Sequence, residues 1–171
     1  MSQFVPQSHP QGGVTTTRVD AVIDFLDAEG LQYEVVEHPS ATSAVDLAHS
    51  VHALLKHTAK TVVLVDGPAY TIAVIPASRR LDLHKLRTML GATSHLRLAD
   101  EDEIGRAFPW SEVGALPPFG PMLTAAEVFD DSLLEADRML CPAGDHRHGV
   151  LVDPRDVVRV TAARTGDICE D

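Results

Sequence analysis

The sequence predicts a mixed α/β domain, α+β-like in its order, with a curved and mostly antiparallel central sheet flanked by helices. About four or five helical segments alternate with six or seven short strands, without the regular strand-helix-strand repeat of a parallel fold. Several strands are joined by links of hairpin length. Glycine-rich dinucleotide and P-loop motifs are missing from the sequence, so those two nucleotide-binding classes lack their main support.

Composition and charge are those of one globular domain. The chain has 171 residues, 44% of them hydrophobic and 23% charged. We expect a flexible leader over 1–17, a single domain over 18–165 and a frayed tail over 166–171, which contains Cys169. No apolar run approaches the roughly 18 residues of a membrane span, and two cysteines do not form a disulfide framework, so we expect a cytoplasmic protein.

The net charge of −11 disfavours wrapping along a polyanion, so we expect no sequence-specific DNA binding. Seven cationic side chains nevertheless fall within about forty residues, along with five histidines. They are Lys56, Lys60, Arg79, Arg80, Lys85, Arg87 and Arg97, with His49, His52, His57, His84 and His95. This grouping predicts a local basic face for a phosphate-bearing ligand end, although ordinary solvated charges would give the same pattern.

A β-hairpin is predicted over 60–76, where β-branched residues are densest. Its apolar arms are 62–65 and 70–75, and Asp66, Gly67 and Pro68 supply the turn. Arms this apolar indicate strands covered on both faces. Lys60 stands at the mouth of the first arm, either as a rim charge or as a cation directed into a cleft.

The remaining elements follow from periodicity, caps and breakers. In the first half we predict a helix over 18–29 closed by Gly30, a strand over 31–37, and a helix over 44–55 whose His49, His52 and Lys56 share one face. Later helices are predicted over 83–90, 100–108 and 154–162, with strands at 95–98, 128–129, 139–142 and 149–152.

A second local feature is a rigid loop over 114–120. Two prolines between two glycines fix its shape and allow close approach of its backbone to a ligand. Exposed backbone N–H groups could hold a carbonyl oxygen or the polar ends of an amino acid. Its residues are Gly114, Ala115, Leu116, Pro117, Pro118, Phe119 and Gly120.

These features occur in an order that resembles a known family. They are Lys60-Thr61-Val62-Val63-Leu64, then Leu81 to Leu86 with Leu90-Gly91-Ala92, then 114–120, then Ala143-Gly144 and Pro154 to Val158. Together they resemble the YbaK-type aminoacyl-tRNA deacylases, relatives of the editing domain inserted in bacterial prolyl-tRNA synthetases. The resemblance covers about 140 residues, from the first helix to the last.

The resemblance implies a free-standing editing hydrolase that cleaves the ester between a wrong amino acid and the terminal ribose of a tRNA. Lys60 is then the principal catalytic residue, the 114–120 loop lines the acyl pocket, and Thr61 and Gly144 contact substrate. The implied partners are a tRNA acceptor end carrying an aminoacyl group and possibly an aminoacyl-tRNA synthetase, with no cofactor. A non-catalytic module that binds the same aminoacyl or nucleotide end is the alternative.

The C-terminal turn adds two histidines. His146 could be a catalytic base, and His148 could position substrate or water. A competing metal site would combine Cys141, His146 and His148 with His49 and His52, but its spacing matches no structural zinc signature, and we expect Cys141 in the core. Val36, Glu37, the 145–148 turn and the Pro117-Pro118-Phe119 version of the loop depart from the family pattern, which leaves the amino acid undetermined.

Overall fold

The computed structural model describes residues 17–91 and 95–171. Nearly all of the predicted leader, and Ala92, lie outside the described residues. The described part of the chain forms helices and strands in mixed order, which confirms the predicted fold class. None of the described helices is both long and apolar enough to span a bilayer.

Six α-helices and two 3₁₀ helices occur in the described residues. The α-helices are α1 (Arg18–Ala28), α2 (Ala44–Ser50), α3 (Leu83–Leu90), α4 (Glu101–Ala107), α5 (Gly120–Leu123) and α6 (Pro154–Thr161), and the 3₁₀ helices are Leu55–His57 and Asp131–Glu135. Side-chain caps define several starts. Thr17 and Asp20 form a reciprocal capping box on α1, and Asp82 caps α3 by accepting a hydrogen bond from Lys85 N.

The strands form two sheets rather than one continuous sheet. They are β1 (Tyr33–Glu37), β2 (Ala59–Asp66), β3 (Ala69–Pro76), β4 (Arg97–Leu98), β5 (Ala126–Asp130), β6 (Met139–Pro142), β7 (His148–Val152) and β8 (Arg164–Gly166). The smaller sheet has the antiparallel order β1-β7-β6, and the larger has the order β4-β2-β3-β5-β8 with parallel β3–β5 and β5–β8 pairs. A parallel bridge between Thr58 and Leu140 connects them.

The β2–β3 hairpin occupies the middle of the larger sheet and is covered on both faces, as its composition predicts. Alternate residues enter two different hydrophobic clusters. Val63 and Ile72 belong to the largest cluster, while Leu64 and Ala73 belong to the cluster packed under α3. Lys60 pairs with Ile75 across the hairpin.

Helix α2 is shorter than predicted. It ends at Ser50, and His52 takes a left-handed backbone conformation with φ 56°, which breaks helical geometry. His49, His52 and Lys56 therefore do not share one helical face. Neither α5 nor β8 was predicted, because elements of four and three residues are too short to show a recognisable periodicity.

The predicted tail packs against the domain. Cys169, expected to be frayed, is fully buried and forms a β-bridge with Leu81. Lys85 Nζ donates to the carboxylates of Asp171 at 2.7 Å and Asp167 at 3.1 Å. The expectation for Cys169 is wrong because its apolar neighbour Ile168 fills the cluster under α3 and brings the following residues with it.

Candidate functional site

A small hollow lies where three distant segments meet. Its cavity volume is about 10 Å³, roughly the space of one water molecule, and its mouth is open to solvent. The first segment runs from the end of β1 into α2, the second is the start of the 114–120 loop, and the third is the β6–β7 turn. The lining residues are His38, Ala41, Ser43, Leu47, Gly114, Ala115, Pro142, Asp145 and His148.

Backbone contacts too close for side chains hold the three segments together. Gly114 has φ +80°, and a Cβ built on it would lie 2.0 Å from the carbonyl oxygen of Thr42. Gly144, with φ +93°, donates its N–H to Ala115 O at 2.9 Å and accepts from Glu112 N at 2.8 Å. Gly144 therefore positions the loop through its backbone and does not line the hollow.

His38 is a buried histidine with one unused ring nitrogen. Only 6% of the residue is exposed. Its Nδ1 donates to the carbonyl oxygen of Pro39 at 2.7 Å, and its backbone N–H donates to Arg147 O at 2.9 Å. The buried Nε2 has no hydrogen-bond partner. Because a carbonyl oxygen only accepts, Nδ1 carries a proton and Nε2 of the neutral ring carries a lone pair.

Asp145 and His148 form an oriented pair in the same hollow. His148 Nδ1 lies 2.8 Å from Asp145 Oδ2 and donates to it, so the neutral ring presents its lone pair on Nε2. Burial opposes ionisation of Asp145, but hydrogen bonds from Arg147 N–H and from His148 hold the pKa of its carboxyl below the ordinary value. An ionised carboxylate that fixes the tautomer of a histidine is the arrangement of a general base and its orienting partner.

His146 is engaged away from the hollow. Its Nδ1 lies 2.9 Å from Glu112 Oε2, and its Nε2 lies 2.6 Å from the carbonyl oxygen of Val113. Both neighbours are acceptors, so a ring that makes both bonds donates from both nitrogens and has no lone pair for a substrate or water proton. The predicted catalytic role of His146 is not supported by these contacts, which instead tie the β6–β7 turn to the start of the loop.

The 114–120 loop divides into a lining half and a core half. Gly114 and Ala115 line the hollow, but Ala115 N–H already donates to Glu112 O at 3.1 Å. Leu116 to Gly120 are buried and do not line it. Phe119 is fully buried, and its ring centroid lies 5.3 Å from that of Phe25. The second half of the loop therefore anchors the first half in the core.

Lys60 is exposed and is not among the lining residues. It stands at the start of β2, two residues after Thr58, which forms a parallel bridge with Leu140 of β6. The last residue of β6, Pro142, lines the hollow. The bridge therefore joins the segment that carries Lys60 to the strand that leads into the hollow, and a direct contribution of Lys60 to the site stays a prediction.

Thr61 follows Lys60 and therefore projects to the opposite face of β2. It alternates with Val63, which belongs to the largest hydrophobic cluster. Its Oγ1 is buried and has no hydrogen-bond partner. Thr61 is not among the residues that line the hollow, and its contact with substrate stays a prediction.

Several members of the predicted basic face are bound within the fold. Lys85 holds the C-terminal carboxylates, Arg97 Nη1 lies 2.9 Å from Glu103 Oε1, and Arg87 Nη2 donates to Leu96 O at 2.6 Å. Each of these cations makes an ion pair or hydrogen bond within the fold, so the three do not form a shared binding face for a ligand.

Metal coordination finds no support within 17–91 and 95–171. There, no three histidine, cysteine, aspartate or glutamate side chains are arranged to hold a metal ion. Cys141, the thiol of the competing metal hypothesis, is fully buried, and burial raises the pKa of its thiol far above the ordinary value. Cys141 is therefore a core residue, as its strand position predicted.

Comparison with known proteins decides the family. The profile of the aminoacyl-tRNA editing domain matches residues 38–160, which is more than half of the chain. The chain belongs to the aminoacyl-tRNA editing domain family. This confirms the resemblance to YbaK-type editing proteins and supports a role in tRNA editing. No curated protein matches the sequence.

Solved structures show the same fold. The crystal structure of a protein proposed as a trans-editing enzyme for prolyl-tRNA synthetase is 24% identical, with a TM-score of 0.78, and the match covers 92% of this chain and all of that one. The hypothetical protein APE2540 is 23% identical, also with a TM-score of 0.78, over 87% of this chain and 99% of that one. At these identities the likeness shows the fold alone.

Six of the nine lining residues were not among the residues predicted for the site: His38, Ala41, Ser43, Leu47, Pro142 and Asp145. Ser43 is also the cap of α2, since its hydroxyl accepts a hydrogen bond from Asp46 N at 3.1 Å. Asp145 was noted only as part of an altered turn. The Asp-x-x-His spacing of 145–148 was the available signal, because a tight turn brings residues three apart into hydrogen-bond reach.

Proposed function

We propose that this editing domain is a hydrolase that deacylates mischarged aminoacyl-tRNA, acting on the ester to the terminal ribose. The observation that carries the proposal is the Asp145–His148 pair in a small hollow, and the Thr58–Leu140 bridge joins the start of the strand that carries Lys60 to the strand that ends at this hollow. A general base, its orienting carboxylate and a nearby cation are the groups that ester hydrolysis by water requires.

The chemistry uses water as the nucleophile. His148 Nε2 accepts a proton from water as its oxygen attacks the ester carbonyl carbon, and Lys60 stabilises the negative charge that develops on the carbonyl oxygen. When the carbon–oxygen bond to ribose breaks, His148 returns the proton to the ribose oxygen. The products are a free amino acid and an uncharged tRNA. Because Ala115 N–H is already committed, oxyanion stabilisation falls mainly on Lys60.

Ser43 is the only lining residue with a hydroxyl that could replace water as nucleophile. Its oxygen accepts the capping hydrogen bond from Asp46 N, and the two described side chains Ser43 and His148 make no hydrogen bond with one another. A nucleophile and its base need hydrogen-bond contact for activation. Water is therefore the better nucleophile in this arrangement.

The small size of the hollow leads us to expect small acyl groups as the best substrates. Its apolar walls are Ala41, Leu47, Ala115 and Pro142, and its volume of about 10 Å³ is roughly that of one water molecule. A pocket discriminates against an extra methylene only modestly, so alanine- and serine-sized groups should lead a graded series rather than be the sole substrates. Action together with a synthetase and a cytoplasmic location stay predictions.

The test is a panel of mischarged tRNAs incubated with the purified protein, with loss of the aminoacyl bond followed over time. Wild type should hydrolyse small aminoacyl esters, and Lys60→Ala should lower kcat/KM by about 100- to 1,000-fold. Lys56→Ala is the matched control, since Lys56 is exposed on the neighbouring 3₁₀ helix. Binding of panel members without deacylation of any would overturn the hydrolase and favour the non-catalytic binding module.

A further inference from the structure

Glu112 lies outside the hollow and joins three parts of the chain. Its Oε2 accepts a hydrogen bond from His146 N at 3.1 Å and lies 2.9 Å from His146 Nδ1, while its Oε1 lies 3.5 Å from Arg18 Nη1 on α1. Its backbone N–H donates to Gly144 O at 2.8 Å, and its carbonyl oxygen accepts from Ala115 N at 3.1 Å. No step of the proposed reaction uses Glu112, yet it contacts two of the three segments that form the hollow.

The ring of His146 has an acceptor at each nitrogen. Nδ1 faces the carboxylate of Glu112, and Nε2 lies 2.6 Å from the carbonyl oxygen of Val113. A neutral imidazole has a single N–H, so one of these two contacts would place a lone pair against a lone pair. An imidazolium donates in both directions, and the carboxylate of Glu112 balances its charge. The surroundings of the ring therefore favour its doubly protonated form.

The 145–148 turn is held from two sides, and His146 takes part in both. On one side, Ala41 N–H, in the segment from β1 into α2, donates to His146 O at 2.8 Å. On the other side, the ring and the N–H of His146 bind Glu112 and Val113. His146 thus fixes the turn relative to the other two segments of the hollow, although its own ring is not part of the lining.

We propose that His146 is a positioning residue that works as an imidazolium, binding Glu112 and Val113 at once and so holding Asp145 and His148 in place for the reaction. This inference rests on the proposed function, because it assigns a further residue to that same site. With both protons the ring is bound to both acceptors, and with one proton it releases one of them. A reacting group displaced by about 1 Å loses on the order of 100-fold in rate, so a small shift of the turn is enough to slow the reaction.

Two histidines of one turn then work in opposite charge states. His148 Nδ1 donates to Asp145, and its Nε2 must be free of a proton to accept one from water, whereas His146 must hold both protons. Besides Glu112, the charged or titratable groups that face the turn are Arg18 from α1, Glu37 and His38 from the end of β1, and Arg147 within the turn. The rate should rise with pH as His148 loses its proton and fall again as His146 loses one, which gives a bell-shaped profile.

Nuclear magnetic resonance on the full chain, with isotopically labelled histidine nitrogens, measures the protonation state directly. The ring nitrogens report their protons through their chemical shifts, and the His146 signals are identified by their loss in His146→Asn. We expect both His146 nitrogens to carry protons at neutral pH. A His146 ring with a single proton at neutral pH would overturn the proposal, whatever the activity.

Kinetics separate a positioning role from a purely structural one. His146→Asn should lower kcat by about 10-fold with KM nearly unchanged, and should remove the alkaline limb of the profile after spontaneous ester hydrolysis is subtracted. His146→Lys keeps a cation with several donors, and should recover most of kcat without restoring that limb. The matched control is His84→Asn at an exposed position on α3, which should keep both kcat and the limb. A limb that persists in both His146 variants contradicts the assignment.

The partner of His146 is tested by Glu112→Gln. The amide oxygen of glutamine still accepts a hydrogen bond, but the charge that balances the imidazolium is gone. The alkaline limb of the rate profile should therefore move to lower pH in this variant. A limb at the same pH as in wild type would show that Glu112 does not balance the charge of His146.

A measurement of proton exchange keeps this inference separate from the hydrolase proposal. The Nδ1–H of His148, which donates to Asp145, should exchange with water about 10-fold faster in His146→Asn than in wild type or His84→Asn. If no ester is hydrolysed but His146 holds two protons and this exchange accelerates, the proposed reaction fails and the positioning role stands. If esters are hydrolysed but His146→Asn matches wild type in kcat, pH profile and exchange, the positioning role fails and the reaction stands.

Discussion

Two buried residues, His38 and Glu127, carry side-chain atoms without a hydrogen-bond partner, but their surroundings differ. His38 lines the hollow, while both carboxylate oxygens of Glu127 lie inside the fold beneath Gly120. Each residue is only 6% exposed. Water can occupy a polar hollow and satisfy an unpaired atom in its wall. In a closed core the same feature is relieved by taking up a proton.

The surroundings of Glu127 explain why its carboxylate takes up a proton. Burial is the main cause that raises its pKa to about 7, and the Thr161 hydroxyl and Gly120 N–H offset burial only in part. Neither group makes a hydrogen bond of good geometry to the carboxylate, because the Thr161 hydroxyl donates to Val157 O at 2.8 Å. Glu127 is therefore a residue of the core whose charge is costly, and we assign it no contact with substrate.

The largest loss of activity should come from replacing His148, one of the two histidines in the β6–β7 turn. Replacing His148 by Asn removes the proposed base and should lower kcat by about 100- to 10,000-fold. The control is His146→Asn, which breaks contacts with Glu112 and Val113 but removes no lone pair directed at the substrate. Single-turnover deacylation assays measure both variants. A greater loss of chemistry in His146→Asn than in His148→Asn would reverse the roles we assign.

The second-largest effect should come from a substitution at Gly114, which would disturb the backbone that lines the hollow. The Cβ of Gly114→Ala would meet Thr42 O at 2.0 Å in a backbone conformation that alanine rarely adopts. We expect a loss of about 2–3 kcal/mol in the free energy of unfolding, measured by urea denaturation, together with reduced deacylation. The comparison variant is Gly105→Ala, where no atom lies within 4 Å of the added methyl group. A fully stable Gly114→Ala protein would show that Thr42 moves aside without consequence.

The smallest effect should come from Glu127 in the core, and it depends on pH. Because the native pKa of Glu127 lies above its ordinary value of 4.5, the folded state holds more protons than the unfolded state between pH 4.5 and about 7. Stability from this group is thus fully present below pH 4.5 and is lost as pH rises through 7. Glu127→Gln should remove this slope and stabilise the protein above pH 8 by on the order of 2–3 kcal/mol relative to wild type.

Denaturation midpoints from pH 4 to 9 measure the slope for wild type and Glu127→Gln together. The activity of Glu127→Gln toward the best ester should stay near that of wild type, since the carboxylate has no opening to the hollow. If Glu127→Gln strongly lowered activity but left stability unchanged, Glu127 would have to be assigned to the functional site instead of the core.

Those parts of the fold that depend on strong local signals were predictable from the sequence. The β2–β3 hairpin, α1, α3 and α6 appear within a few residues of their predicted bounds, because apolar periodicity, caps and turn residues all agree there. The division into two sheets was not predictable. It depends on the pairing of β1 with β7, strands that are more than a hundred residues apart.

The functional site was predictable only in part, because sequence identifies residue types but not the direction of their side chains. Of the residues predicted for the site, Gly114, Ala115 and His148 line the hollow, whereas Phe119 and its neighbours are buried in the core. His146 and His148 are separated by one residue and have the same chemistry. What distinguishes them is the position of Glu112, which only the folded chain reveals.

The hollow draws its lining from 38–47, 114–115 and 142–148, so its last wall is near the C-terminal end of the described chain. During synthesis, Asp145 and His148 are added more than a hundred residues after His38, so the hollow cannot form before that point. A product truncated before Asp145 would therefore lack the hollow.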